Sequence, residues 1–385
     1  MSLRALLTAA TFAFFSLAFA QTDVCAPLGT VMQGEGTDDM PYELSSPDHF
    51  VSMADHYVSI ADVDVSGTDD CWGAAFVMVN DVDLMGVTWH PIGRPSDFSQ
   101  SVPFRGTFDG QNHTISGFDV QLDRGGVGLF GEVGSATLRN VTFHGANVSG
   151  KTRVGVLAGR VTGGTVDRVT LTGGSTISAT EEIVGGLIGR MDGGTISNVT
   201  VSSVSILADK NVGGVVGYAS NPTLENATVQ DLVVTSSGNF AGGVVGFSDA
   251  NLTLRDVEVA DSTTIHGGGS ATGGVVGRSQ GSDLLDARRI TVAATVNGNN
   301  NLGGVFGNIR NPAVIDDVTF TGDVNAPNDK ASLGGLVGHV AADGTTVEVR
   351  NVRISGALTG GERVGGLVGD LDGLSGNAVH VEATN

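Results

Sequence analysis

Several residue types that mark common protein classes are scarce in this 385-residue chain. Lysine occurs only at Lys151, Lys210 and Lys330, and 41 acidic residues outnumber 20 basic ones, which gives a net charge of −21. A surface this acidic repels nucleic acid and anionic lipid, and no basic block relieves the repulsion. We therefore expect no nucleic-acid partner, and a surface that attracts cations.

Long hydrophobic runs are also missing, except at the amino terminus. Residues 5–19 are uncharged and mostly apolar, Arg4 precedes them, and Ala18-Phe19-Ala20 follows the small-x-small pattern of a cleavage site. The run is shorter than the roughly 20 residues that a membrane-spanning helix needs. The pattern predicts a signal peptide over residues 1–20 and no membrane span. We expect a secreted protein or one held at the cell surface.

Only two cysteines are present, Cys25 and Cys71. In an oxidising compartment an even pair predicts one disulfide, which here would clamp the start of the chain. Two free thiols are the alternative. Neither cysteine has a neighbouring histidine or basic residue of the kind that produces a reactive thiolate.

Helical periodicity is lacking as well. The chain contains 59 glycines, which recur too often for helices to form in the repeats. The segment Gly186–Gly189 recurs in nine recognisable copies, each ending on a closing glycine, at intervals of 28 to 31 residues. Self-similarity at such a period is typical of a stacked repeat architecture. The closing glycines are Gly131, Gly159, Gly189, Gly217, Gly246, Gly277, Gly307, Gly338 and Gly369.

Each copy also contains a β-branched, alternating run that reads as a strand, best seen in Thr195–Val201. Ile196 and Val199 are three residues apart, which breaks the alternation and predicts a corner near Asn198. Stacked amides at such a corner would hydrogen-bond along the axis, and the turn preference of Asn and Asp is a compatible explanation. The corner positions are Asn140, Asn198, Asn226, Asp256, Asp317 and Asn351.

A period near 30 with about three short strands per repeat predicts an all-β fold, a parallel β-helix (β-solenoid). Stacking successive coils about 4.8 Å apart pairs each strand with the coils on either side. We expect about nine to eleven coils and a disulfide-clamped amino-terminal cap. The predicted divisions are a capping segment over 21–75, with a short helix from Pro47 to about Met53, lead-in strands over 76–124 that begin near Ala75, and the repeat solenoid over 125–385.

The Gly-Gly-Leu-Val-Gly core, as at Gly334–Gly338 and Gly365–Gly369, resembles the GLUG repeat of bacterial surface proteins. Four motifs before the repeats are similar to the segment that precedes the repeats in such proteins, and the resemblance covers roughly residues 34–375. These motifs are Pro41-Tyr42-Glu43-Leu44, Asp81-Val82-Asp83-Leu84, Pro91-Ile92-Gly93 and Gly106-Thr107-Phe108-Asp109-Gly110.

The resemblance implies an adhesin-like surface protein. Some large immunoglobulin A peptidases carry these repeats beside a separate protease domain, but this chain has no His-Glu-x-x-His motif, which removes the protease interpretation. We expect a non-enzymatic protein that attaches to surface polysaccharide or extracellular protein through an extended face. The alternatives are a β-helix polysaccharide lyase or hydrolase, and a filament or coat subunit that self-associates through its carboxyl-terminal coil.

Three sets of columns are candidate surfaces. A chemically mixed column follows the closing glycines and offers arginine and aromatic side chains. Two adjacent apolar columns inside the glycine motif form either an exposed stripe or a corner that turns both inward, which the flanking glycines favour. The third is a threonine column. The mixed column is Glu132, Arg160, Arg190, Tyr218, Phe247, Arg278, Asn308, His339 and Asp370; the threonines are Thr142, Thr170, Thr200, Thr228, Thr291 and Thr319.

Paired aspartates are the remaining chemical signal. Asp62 with Asp64 and Asp81 with Asp83 each share one face of a strand, because strand side chains alternate with a period of two. Carboxylate oxygens bind calcium, although no calcium-binding loop motif accompanies them. The alternative is that these aspartates are ordinary acidic residues on the solvated surface. We expect no catalytic residue and no cofactor other than possible calcium at these pairs.

Overall fold

A computed structural model describes residues 26–59, 73–93, 101–342, 346–373 and 383–384. Two helices, α1 (Ala26–Gly29) and α2 (Pro47–Ser59), lie near the amino terminus. The strands are β1 (Tyr42–Leu44), β2 (Ala75–Met78), β3 (Val82–Asp83), β4 (Thr107–Ser116), β5 (Asp119–Gln121), β6 (Phe130–His144), β7 (Asn147–Val154), β8 (Ala158–Thr172), β9 (Ser175–Gly185), β10 (Ile188–Met191), β11 (Gly194–Ala208), β12 (Lys210–Gly213), β13 (Val216–Ala219), β14 (Pro222–Ser236), β15 (Ala241–Gly242), β16 (Val245–Ser248), β17 (Leu252–Val259), β18 (Thr264–Gly267), β19 (Ala271–Gly273), β20 (Val276–Gln280), β21 (Leu285–Val292), β22 (Thr295–Gly298), β23 (Asn301–Gly303), β24 (Phe306–Arg310), β25 (Ala313–Phe320), β26 (Asp323–Asn325), β27 (Ser332–Gly334), β28 (Val337–Ala342), β29 (Val347–Ile354), β30 (Leu358–Thr359), β31 (Arg363–Gly365), β32 (Val368–Gly373) and β33 (Ala383–Thr384).

The strands form a parallel β-solenoid of about ten turns, which confirms the predicted fold class. Strands pair in parallel with the equivalent strands of adjacent coils. The longest column runs β1–β2–β4–β6–β8–β11–β14–β17–β21–β25–β29–β33. A second column, which carries the candidate site, contains the strands that include the closing glycines: β6, β8, β10, β13, β16, β20, β24, β28 and β32.

Both apolar columns of the glycine motif point into the core, so the corner interpretation is confirmed. Leu187 and Ile188 are consecutive in sequence and both fully buried, and the same holds for Val215 and Val216. The glycines allow this bend because the chain doubles back tightly there. A Cβ on Gly213 would lie 2.0 Å from the carbonyl oxygen of Val216.

The second predicted corner is also present. Asn198 adopts a left-handed backbone conformation with φ of 55°, and the equivalent residues in neighbouring coils do the same. Asn and Asp tolerate this conformation better than other non-glycine residues. The amide ladder is only partial. Asn226 donates to the Asn198 side chain at 3.1 Å, whereas Asn198 itself donates to the carboxylate of Asp167 at 2.7 Å.

The amino-terminal end is closed by helix α2, which extends beyond the predicted Met53 to Ser59. Its residues Phe50 and Met53 are fully buried against the first coils. The first strand also comes earlier than the expected start near Ala75, because Tyr42–Leu44 pairs with β2. A three-residue strand outside the repeat has no periodic signal.

The signal peptide, Cys25 and Cys71 lie outside the described residues. The expectation of a disulfide-clamped cap therefore stays a prediction. Among the helices that the structure describes, none is both long and apolar enough to cross a lipid bilayer.

Candidate functional site

The chemically mixed column after the closing glycines is in register across nine coils. We call it the post-glycine column. Each member is the direct parallel partner of the next, so their side chains follow the solenoid axis on one face. It consists of Glu132, Arg160, Arg190, Tyr218, Phe247, Arg278, Asn308, His339 and Asp370.

The closing glycines let a neighbouring corner pack close to this face. A Cβ on Gly246 would come within 2.6 Å of the backbone of Asn211, which belongs to that corner. The corner residues Arg153, Ile183, Asn211 and Phe240 all have left-handed φ values between 54° and 67°. Glu132, Phe247, Asn308 and His339 are buried on this face and the other members of the post-glycine column are half-buried, so its polar side chains interact with each other as well as with solvent.

A repeated pairing connects successive coils on this face. The residue directly after one closing glycine donates a hydrogen bond to an aspartate three residues after the next closing glycine. The relation occurs in three pairs: Arg160 with Asp192 at 2.7 Å, Tyr218 with Asp249 by a short hydrogen bond, and His339 with Asp372 at 3.1 Å. Each pair joins adjacent coils through side chains, in addition to the backbone ladder.

Near the amino-terminal end, the column is an arginine–carboxylate network. Asp192 accepts from Arg160 and from Arg190, at 2.7 Å in both cases. Arg160 also lies 3.4 Å from Glu132, whose side chain is buried. Buried charges require partners of this kind, since an isolated one would be strongly destabilising.

The middle of the column is aromatic. The Arg190 guanidinium lies over the Tyr218 ring at 4.4 Å, a cation–π contact. The rings of Tyr218 and Phe247 are 5.1 Å apart, and Phe247 stacks on Phe240 at 5.1 Å with an interplanar angle of 16°. Burial and the hydrogen bond to Asp249 raise the pKa of the Tyr218 phenol above its ordinary value.

Within the described residues, a candidate metal-ligand set lies toward the carboxyl-terminal end. His339, Asp370 and Asp372 each offer a ligand atom within 4.8 Å of the others. The Asn308 amide oxygen accepts from Arg310 at 3.3 Å, which turns its nitrogen toward His339 Nδ1 at 2.8 Å. The ring proton then lies on Nε2, where it donates to Asp372. This arrangement satisfies the histidine without a cation, and a metal at Nε2 would have to displace that proton.

The predicted calcium candidates are only partly within the described chain. Asp62 and Asp64 lie outside it. Asp81 accepts from the Thr114 backbone at 2.8 Å and contacts His113 at 3.0 Å, and these bonds lower the pKa of its carboxyl. Asp83 accepts from the Met85 backbone at 3.0 Å. Calcium at these residues stays a prediction.

The threonine column is in register as well, on a different strand of each coil. Thr170 pairs with Thr142 and Thr200, and Thr200 pairs with Thr228. Glu258 then interrupts the column, as the sequence indicates. These threonines are half-buried or exposed, and the same strands carry ion pairs of their own, such as Arg289 with Asp256 at 2.6 Å and Arg288 with Asp286 at 2.8 Å.

The sequence pattern predicts the post-glycine column but not the aspartates that pair with it. Asp192, Asp249 and Asp372 share one position, three residues after a closing glycine, so alignment of the nine copies could have revealed them. Phe240 gives no such signal. Its position beside Phe247 depends on a left-handed backbone conformation, which the sequence does not predict for a phenylalanine.

No family model matches the chain. The chain is 33% identical to halomucin from Haloquadratum walsbyi over 168 residues, which is 40% of this chain but only 2% of halomucin. In fold it is similar to the crystal structure of a proposed immunoglobulin A1 protease from Bacteroides ovatus, with 16% identity and a TM-score of 0.45, covering 84% of this chain and 86% of that one.

Proposed function

We propose that this protein is a non-enzymatic, extracellular or surface-attached β-solenoid that binds surface polysaccharide or extracellular protein through the post-glycine column. The observation that carries the proposal is the in-register run of arginine and aromatic side chains along one face. Arginine and aromatic residues are enriched at binding surfaces because they bury large areas and form directed contacts. An extended ligand would meet the same spacing at every coil.

The chemistry of the face supports binding in preference to catalysis. The carboxylates of Glu132, Asp192 and Asp372 each pair with an arginine or histidine of the same face. A general acid or base needs a group free to exchange a proton with substrate. Carboxylates held in pairs serve instead to position the cationic side chains.

The sequence supplies the support for export. Residues 5–19 have the features of a signal peptide, and the net charge of −21 favours a soluble, non-aggregating surface. We further propose kinship with GLUG-repeat surface proteins. The support is the recurring glycine motif and the burial of both its apolar residues, as in Leu336 and Val337.

A retention experiment tests the binding face. Purified protein is passed over bacterial surface polysaccharide, mucin and matrix proteins, and its retention is compared with that of the double variant Arg190→Ser/Tyr218→Ser. The matched control is Thr200→Ser/Thr228→Ser on the threonine column. We expect the first variant to lose retention and the control to keep it, with circular dichroism showing that both are folded. Equal retention of both variants would refute the assignment of the face.

A further inference from the structure

The donor–aspartate relation holds at three of the eight steps along the post-glycine column, and one of the other steps brings two cations together. Arg278 stands directly after its closing glycine, and the position three residues after the next closing glycine holds Arg310. Strand pairing sets Gln280 beside Arg310, so Arg310 is offset from Arg278 as Asp192 is from Arg160. Two cations therefore stand where the other pairs place a donor and a carboxylate.

The two arginines lack a compensating charge. Within the described part of the chain, no carboxylate forms an ion pair with either guanidinium, and Arg310 donates only to Asn308, at 3.3 Å. The Arg278 Nε is buried and has no hydrogen-bond partner. Burial, and then the charge of Arg310, lower the pKa of Arg278 to about 10. A buried donor without an acceptor is unfavourable, and an anion at the solvent-facing part of this half-buried arginine would offset the charge of the pair.

An aromatic surface adjoins this cationic pair. The Arg278 guanidinium lies 5.0 Å from the centre of the Phe240 ring, which in turn stacks on Phe247. Phe240 is half-buried and has φ of 63°, a conformation in which a bulky residue is strained. Asn211, one coil earlier, shows the type of residue that this corner accepts more easily. Strained backbone of this kind clusters at ligand-contacting sites.

We infer that Arg278, Arg310 and the Phe240 ring bind a carboxylate-bearing sugar of an acidic polysaccharide. The carboxylate accepts hydrogen bonds from the guanidinia, and the apolar face of the pyranose packs against the ring. The inference rests on the proposed binding function and gives it a ligand class. It also explains how a chain of net charge −21 holds an anion: the local pair of cations is not neutralised.

Calorimetric titration with an oligosaccharide of alternating glucuronate and N-acetylglucosamine tests the site. We expect binding to the full chain, and a loss of about tenfold or more in affinity for the neutral methyl ester of the same sugar. The variant Arg310→Asp restores the carboxylate found in the Arg160–Asp192 pair. It should lose sugar binding by about tenfold or more, while its melting temperature rises. The control Arg353→Ala, an exposed arginine in register with the threonine column, should bind as the wild type does.

Three results would overturn the inference: unchanged binding by Arg310→Asp, equal affinity for acid and ester, or equal affinity for a glutamate-rich peptide. The outcome is separable from that of the proposed function. Retention on surface material without affinity for the acidic sugar refutes this site alone. Affinity for the sugar without retention on any surface material supports the site and refutes the broader function.

Discussion

Arg160 and Asp192 lie 32 residues apart in sequence, in successive coils, and Arg160 Nε donates to Asp192 Oδ2 at 2.7 Å. The same positional relation joins Tyr218 to Asp249. Side-chain bonds between coils thus reinforce the backbone ladder on the face where we place the binding function. Because each bond depends on one residue per coil, each can be tested by a single substitution.

Asp192→Asn should destabilise the solenoid by about 1–3 kcal/mol, because it removes the charge that two arginines share. Urea unfolding measures the change. Asp261→Asn is the matched control, since Asp261 is exposed in a turn, and it should shift the free energy of unfolding by less than about 0.5 kcal/mol. Equal effects of the two substitutions would show that the pairing adds no stability.

Asn198→Val should destabilise the protein by about 1–3 kcal/mol, since a β-branched residue is strained at φ of 55° and the bond to Asp167 is lost. Asn198→Gly can keep the left-handed backbone conformation, so it should lose less stability than Asn198→Val. Thr200→Val, two residues further along the same strand, is the control and should be close to neutral. Thermal unfolding of the three variants gives the order, and equal stability of Asn198→Val and Asn198→Gly would contradict a left-handed corner.

Gly243→Ala should destabilise the fold by about 3 kcal/mol or more, because the new Cβ would lie 2.2 Å from the carbonyl oxygen of Gly274 in the next coil. Gly366 is the equivalent residue of the last glycine motif, and a Cβ there meets nothing within 4 Å. Gly366→Ala should therefore be tolerated. A tolerated Gly243→Ala would mean that successive coils are not stacked this closely.

Asp109 should make stability depend on acid pH. Desolvation of its buried carboxylate raises the pKa. Hydrogen bonds from Asn140, Gln111 and Arg139 outweigh this effect, so the net result is a lowered pKa. A lowered pKa in the folded state means that the stabilisation is complete above about pH 4, the unfolded value, and is lost as pH falls below it. Asp109→Asn should flatten the dependence between about pH 4 and 2, as measured by urea unfolding at each pH.

The features that recur in every coil could be predicted from the sequence. Nine copies reveal the closing glycines, and the three-residue step from Ile196 to Val199 predicts the corner at Asn198 because alternation fails there. Features that occur once were not predictable. Strand β1 has only three residues and lies outside the period, and the position of the Phe240 ring depends on a backbone conformation that disfavours phenylalanine.

The unequal length of the coils does not obscure the position of Arg310. The extra residues, such as those around Gly281, come after the position three residues beyond the closing glycine. Alignment of the glycine motifs could therefore have shown that Arg310 takes the position of Asp192. It could not have shown which atoms are buried or paired there, because that depends on packing between β20, β24 and the corner at Phe240.

The most direct test of the central claim measures binding and cleavage on the same sample. The full chain is incubated with surface polysaccharide, depletion of protein from the supernatant is followed to saturation, and the supernatant is then assayed for released oligosaccharide. We predict saturable retention with no release, and weaker retention for Arg190→Ser/Tyr218→Ser. Release of oligosaccharide, or absence of retention on every surface material, would contradict the account of a binding solenoid.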